Sequence, residues 1–198
     1  MKKVSQIGPQ SLLQLRIELE HSNPSIWRSV LVPGNITLVK LHRVIQEVMG
    51  WYDYHLHEFI IDHRHYGIVD PNDPNWGLAP KLINEKRKNL VKVLGQKKLF
   101  EYIYDYGDNW RHTITLENTL PLTSARSSVV CIGGEMACPP EDVGGLGGYF
   151  EFLEAMTDPQ HEEHESVMQW WGEAFDPRAF EIILVNEKLK QIKLPDYP

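Results

Sequence analysis

The chain has 198 residues, 42% of them hydrophobic and 24% charged, and a net charge of -7. This balance fits a globular fold with a real core and excludes a fibrous or wholly disordered chain. The negative charge excludes a broad phosphate-neutralising surface, because nucleic-acid affinity draws on clustered Lys and Arg.

The first residues, Met1 to Gln6, lack the apolar core of a secretion signal. No apolar run approaches the roughly 20 residues that span a bilayer. A cytoplasmic protein with no membrane partner is expected, with Cys131 and Cys138 as thiols. Leu13 to Glu20 alternates apolar and polar residues with period two, the pattern of a strand with one buried face. Asn23-Pro24-Ser25 turns the chain, and Ile26 to Val32 resumes as a strand, so a β-hairpin opens the protein.

Thr37 is placed to cap a helix whose stripe is Leu38, Leu41, Ile45 and Val48, with His42, Arg43, Gln46 and Glu47 facing elsewhere and Gly50 as its stop. An aromatic loop from Trp51 leads into a strand ending near Ile61. His55 and His57 point the same way if both lie on that strand. Val69 to Gly77 is a proline-rich loop. Seven basic residues then stand between Lys81 and Lys98 against a single acid, Glu85.

Phe100 to Asp105 and Trp110 to Glu117 read as paired strands around a Gly-Asp-Asn turn. With Asp108-Asn109 as the central turn residues, Asp105 lies opposite His112 and Ile103 opposite Ile114; a slip of one residue instead puts Tyr104 opposite His112. From 121 to 145, glycine and proline breakers predict an irregular loop. Tyr149, Phe152, Leu153 and Met156 form a helical stripe ended by Asp158-Pro159. A second helix runs through Trp171, and a third starts with Asp176 as cap and Pro177 at its first position, reaching about Leu189. Strands early and helices late predict an α+β fold in one domain over 1–198. Its sheet is mixed or mostly antiparallel, built from the N-terminal and central hairpins and packed with helices. The domain is sheet-rich over 1–120, irregular over 121–145 and helical over 146–190.

Two groups of residues carry chemistry. Asp105, Asp108 and His112, with Trp110 among them, suit a general base with an orienting carboxylate, or metal ligands. In the alternative, Asp108 and Asn109 merely serve the turn. Cys131 and Cys138 are soft ligands for zinc or another divalent metal, which His112, His55 or His57 would complete, although their spacing is not that of a zinc knuckle. Glu141 and Asp142 follow Cys138 directly. His161-Glu162-Glu163-His164-Glu165 fails as a zinc-protease motif, because the second histidine would have to stand at position 165. No nucleophile elbow, phosphate-binding loop or dinucleotide fingerprint is present. The Gly144 to Gly148 run reads as a hinge opening a helix.

The segments Tyr104-Asp105-Tyr106-Gly107-Asp108-Asn109-Trp110-Arg111-His112, Cys138-Pro139-Pro140-Glu141-Asp142-Val143-Gly144-Gly145 and Trp171 through Phe175-Asp176-Pro177 resemble those of the Ri-plasmid open-reading-frame-three-like family, over nearly the whole chain. The resemblance implies an α+β fold and a plasmid- or transposon-associated accessory role. Many members carry a further cysteine where this chain has Val143, which thins any thiolate set here. The resolvase label that some members carry implies a nucleophilic serine among several arginines, a set this chain does not assemble.

Two functions follow as expectations. One is a cytoplasmic binding or accessory module for a protein, peptide or nucleic-acid partner, with Lys86, Arg87 and Lys88 contacting nucleic acid if that is the partner. The other is a metal-assisted hydrolase in which Asp105, Asp108, His112, Cys138, Glu141 and Asp142 converge.

Overall fold

The computed structural model describes residues 8, 10–70, 80–121 and 128–192. Residues 71–77 of the expected proline-rich loop lie outside these. In chain order the elements are β1 (Ser11–Leu19), β2 (Trp27–Pro33), α1 (Leu38–Met49), β3 (His57–Ile61), β4 (Arg64–Gly67), β5 (Leu82–Asn84), α2 (Leu90–Leu94), β6 (Leu99–Tyr104), β7 (Trp110–Pro121), β8 (Val130–Glu135), α3 (Gly145–Thr157), α4 (His164–Trp171) and α5 (Ile182–Leu189). The eight strands form one sheet in the order β5-β4-β3-β6-β7-β1-β2-β8. The β4–β5 pair is parallel and the other pairings are antiparallel. The fold is therefore α+β with a mixed, mostly antiparallel sheet. Among the described residues no helix is long and apolar enough to cross a membrane.

The alternation in β1 buries Leu13, Leu15, Ile17 and Leu19, while Gln14, Arg16 and Glu18 stay partly exposed. Helix α1 adds Leu38, Leu41, Ile45 and Val48 to the same core cluster. Thr37 accepts from the Lys40 backbone N–H, and Gly50 closes the helix in the left-handed region at φ 94°. His42 and Gln46, expected to face outward, are instead buried. They stand four residues apart at the border of the apolar stripe, and the Tyr102 hydroxyl meets both (2.8 and 3.0 Å). A hydrogen-bonded polar pair can be buried there at little cost.

Two further expectations change. The stretch 121–145 contains β8, which pairs with β2 from Trp27↔Glu135 to Leu31↔Val130. Its glycines are no breakers here: a Cβ on Gly134 would stand 2.7 Å from the Phe180 ring and 2.8 Å from Arg28 Cδ. The last helix begins at Ile182 rather than at Pro177. The Pro177 carbonyl accepts the Ala137 N–H (2.9 Å) and Asp176 Oδ1 accepts the Arg178 N–H (2.9 Å), so residues 176–180 are committed to a turn against the chain leaving β8.

Arg28 ties these parts together. Only 2% exposed, its guanidinium donates to the carbonyls of Val48, Trp27, Glu135 and Met136, each at 2.8 Å. It also lies 4.3 Å from the Phe180 ring centroid. One side chain thus joins β2, the end of α1 and the segment leaving β8. Arg28→Met strands several buried carbonyls and is expected to destabilise the fold by about 3 kcal/mol or more, measured as a lower urea midpoint; a loss under about 1 kcal/mol contradicts this role.

Candidate functional site

Successive strand ends place the loop after α1 (51–56), the β6–β7 turn (105–109) and the segment after β8 (136–144) at one end of the sheet. The turn is longer than the two-residue reading. Tyr104 pairs with Trp110, Ile103 with Arg111 and Tyr102 with His112, so Asp105 does not face His112. Asp105 and Asn109 adopt φ of 56° and 54°, and the Asn109 N–H bonds the Asp105 carbonyl at 2.6 Å. Asp105 Oδ1 braces the turn by accepting the Gly107 N–H at 2.8 Å. Asp108, expected to serve its own turn, instead accepts the Gly144 N–H through Oδ2 at 3.1 Å. Gly145, at φ 70°, lets the two segments meet: a Cβ there would fall 2.6 Å from the Asp108 carbonyl oxygen. The glycine run is a close-packed joint in this region rather than a hinge.

The Tyr104 hydroxyl connects three segments. It accepts the backbone N–H groups of Tyr54 (3.0 Å) and His55 (3.3 Å) and donates a short bond to Glu141 Oε1. Glu141 Oε2 accepts the Tyr52 N–H at 2.7 Å, and Trp51 Nε1 donates to the Pro139 carbonyl at 3.1 Å. Burial first, and then the Glu141 carboxylate, raise the Tyr104 pKa and keep it a donor. Trp51 lies between Tyr104 and Trp110, with ring centroids 5.1 and 5.8 Å away. The Cys-Pro-Pro-Glu-Asp segment is thereby fastened to the aromatic loop and to the central hairpin.

Against this joint His55, Asp105 and Asp142 converge, their ligand atoms all within 4.8 Å of one another. His55 Nε2 is 2.7 Å from Asp142 Oδ1 and 3.7 Å from Asp105 Oδ2. Asp105 is buried, His55 partly exposed and Asp142 exposed. Of the residues singled out in the sequence, Asp105, Asp108, Glu141 and Asp142 therefore assemble here, together with His55, which the sequence offers as a ligand to the cysteines instead.

The others lie elsewhere. His112 is fully buried, with Nδ1 donating to the Trp110 carbonyl at 3.1 Å and its ring edge-on to Trp51 at 5.4 Å. Trp110 is core, 1% exposed. Cys131 lies on β8 with its thiol toward the Gly133 carbonyl (3.4 Å), and Cys138 is partly buried. Burial pushes Cys138 up to about 12 and raises Cys131, so both favour the thiol over the thiolate a metal needs. His112, Cys131 and Cys138 do not bring their ligand atoms within 4.8 Å of one another. In the protease-like run, His164 Nδ1 donates to the Ala155 carbonyl (2.7 Å) and His161 precedes α4, so the two histidines share no helix face. Lys86, Arg87 and Lys88 form the turn between β5 and α2, with Lys86 and Arg87 exposed.

A second, internal polar group went unread in the sequence. Gln46 donates to the Tyr102 hydroxyl (3.0 Å), which faces His42 Nδ1 (2.8 Å); His42 Nε2 faces Asp53 Oδ1 (2.7 Å). The His42 and His57 rings stack 3.5 Å apart at 5°, and His57 Nε2 meets the buried Glu85 at 3.1 Å. Burial, then the neighbouring His57, push His42 down to about 4 despite Asp53. The spacing of His42 and Gln46 beside the apolar stripe was the signal available for it.

The chain matches the plasmid pRiA4b ORF-3-like protein family over residues 11–183. It belongs to that family. It is 36% identical over 185 residues to the uncharacterised protein y4hQ of Sinorhizobium fredii (strain NBRC 101917 / NGR234), covering 92% of each chain. It is also similar to the crystal structure of MM3350, a protein of unknown function from Methanosarcina mazei Go1, with a TM-score of 0.76 and 37% identity over 87% of this chain and 96% of that one. Two of the three segments that carry the resemblance thus fall on the hairpin turn and on Cys138 to Gly145, the two pieces that the fold joins, while the third runs from the end of α4 toward α5.

Burial pushes His112 down to about 4, so it is neutral in the folded chain near pH 6 while an unfolded histidine near pKa 6.5 takes up a proton. Its contribution is fully present above about pH 6.5 and is lost as pH falls toward 4, at up to roughly 1.4 kcal/mol per pH unit. The stability difference between wild type and His112→Gln should therefore shrink on acidification through that window in urea titrations. A pH-independent difference contradicts the buried, neutral imidazole.

Proposed function

We propose that this plasmid ORF-3-like protein is an accessory binding module, and that its α3–α4 cleft takes a basic peptide segment of a protein partner. The observation that carries this reading is a cleft of about 730 Å³ whose lining includes Asp142, Glu151, Glu162 and Glu163 beside Phe152 and Trp170, with no Lys or Arg. Carboxylates around an opening raise the local concentration of cationic side chains. Apolar walls accept the methylene stems of Lys and Arg, and the half-exposed Trp170 ring offers a cation–π face. Between Glu135 and Glu187 the sequence holds a single Lys or Arg, Arg178, so the charge around the cleft is strongly one-sided.

The alternatives are decided by the same protein. A nucleic-acid partner would be retained at low salt and released by replacing Lys86, Arg87 and Lys88 with Ala. Metal-assisted hydrolysis instead requires ester or peptide cleavage that disappears in chelator.

Fluorescence anisotropy with a labelled Lys/Arg-rich dodecapeptide, run in chelator, tests the cleft. Binding is expected to weaken at least tenfold in the Glu162→Gln/Glu163→Gln double variant and to fall with added salt, with an Asp/Glu-rich peptide not bound. Equal binding of both peptides, or an unaffected double variant, removes the proposal.

A further inference from the structure

We infer that His55, Asp105 and Asp142 form a divalent-cation site. The inference goes beyond the reading of the cleft and shares with it only Asp142.

The three residues come from separate segments, the loop after α1, the β6–β7 turn and the segment after β8, and their ligand atoms converge within 4.8 Å. The convergence alone would suit an ordinary ion pair, but the His55 nitrogen argues otherwise. Nε2 has no accessible surface and no hydrogen-bond partner, although Asp142 Oδ1 lies only 2.7 Å away. The imidazole nitrogen and the carboxylate oxygen approach each other without the alignment of a donor and its acceptor. A covered ring nitrogen left this way is an unsatisfied polar atom, which native folds avoid. Asp105 stands beside it: its side chain is 10% exposed, Oδ1 is used by the Gly107 N–H, and Oδ2 lies 3.7 Å from His55 Nε2.

A cation at the point the three atoms face satisfies all of them. Donors about 2.1 Å from one ion stand roughly 3.0 Å apart in an octahedral shell and roughly 3.4 Å apart in a tetrahedral one. The distances from His55 Nε2 to Asp142 and Asp105, 2.7 and 3.7 Å, bracket that range, and the two carboxylates lie within 4.8 Å of each other. Two carboxylates balance a divalent charge. One imidazole with two carboxylates suits Mn²⁺, Fe²⁺ or Zn²⁺, and offers too few oxygens for a calcium shell. Three protein ligands leave positions open to water or to a bound molecule. The Tyr104 hydroxyl holds the His55 backbone (3.3 Å) and the Gly107 N–H holds Asp105, so two of the ligands are fixed before the ion arrives.

The test is equilibrium dialysis of the full-length protein against Mn²⁺ or Zn²⁺, without peptide, followed by elemental analysis. One ion per chain is expected, with affinity at least tenfold lower in Asp105→Asn and in His55→Gln and unchanged in Cys138→Ser. Asp142→Ala, at an exposed position, gives the same readout if the buried variants misfold. With Mn²⁺, pulsed electron paramagnetic resonance is expected to show nitrogen coupling that His55→Gln removes. Metal-free protein at millimolar metal, or an ion retained by all three ligand variants and lost with Cys138→Ser, overturns the site. Because this assay contains no peptide and the peptide assay contains chelator, either proposal can fail without the other.

Discussion

The Tyr104 hydroxyl accepts two backbone N–H groups from the loop after α1 and donates its own proton to Glu141 beyond β8. A phenol offers one donor and two acceptor positions, and here all are used, on two segments distant in sequence from Tyr104 and from each other. The geometry of the functional end depends on this. His55 takes its backbone position from the Tyr104 oxygen, Asp105 follows Tyr104 in the chain, and Asp142 follows the carboxylate that Tyr104 holds. Tyr104 can serve because β3 and β6 pair His57 with Tyr104, fixing the strand ends in depth, and because Trp51 packs on its ring.

Behind this joint lies a second polar layer. The chain from Gln46 through Tyr102 and His42 to Asp53 spans α1, β6 and the loop that carries His55. Asp53 is also held through its own N–H by Gln46 (3.1 Å). The loop after α1 is therefore fixed at Asp53 by the helix and at Tyr54 and His55 by the sheet. On the far side, Arg28 holds the carbonyls of Glu135 and Met136, which fixes where the chain leaves β8 toward Glu141 and Asp142. Both halves of the site thus rest on buried hydrogen bonds rather than on apolar packing alone, and such bonds specify position as well as stability.

Where the physics is local, the sequence reads well. The alternation of β1, the Thr37 cap, the apolar stripe of α1 and the Gly50 stop each rest on a few neighbouring residues, and each forms as expected. The mostly antiparallel sheet follows from hairpins legible in the same way. What escaped is set by contacts distant in sequence. His42 and Gln46 read as surface because their partner, Tyr102, is over 50 positions away. β8 is hidden by Gly133 and Gly134, and Gly134 is there because Arg28 and Phe180 need the space. The last helix starts late because Ala137 claims the Pro177 carbonyl. At the site, Asp105, Asp108, Glu141 and Asp142 stood out as carboxylates in two motifs. His55, which joins them, stands out only as a partner for the cysteines, because the loop that carries it is placed by Gln46 and by two groups distant in sequence, the Tyr104 hydroxyl and the Glu141 carboxylate.

The most direct measurement is residue-resolved amide hydrogen exchange on Tyr104→Phe, which removes the hydroxyl and keeps the ring in the core. If that hydroxyl holds the loop, the Tyr54 and His55 amides lose protection at least tenfold while those of Phe59 and Ile61 in β3 are unchanged. Full protection of Tyr54 and His55 in the variant would contradict the account.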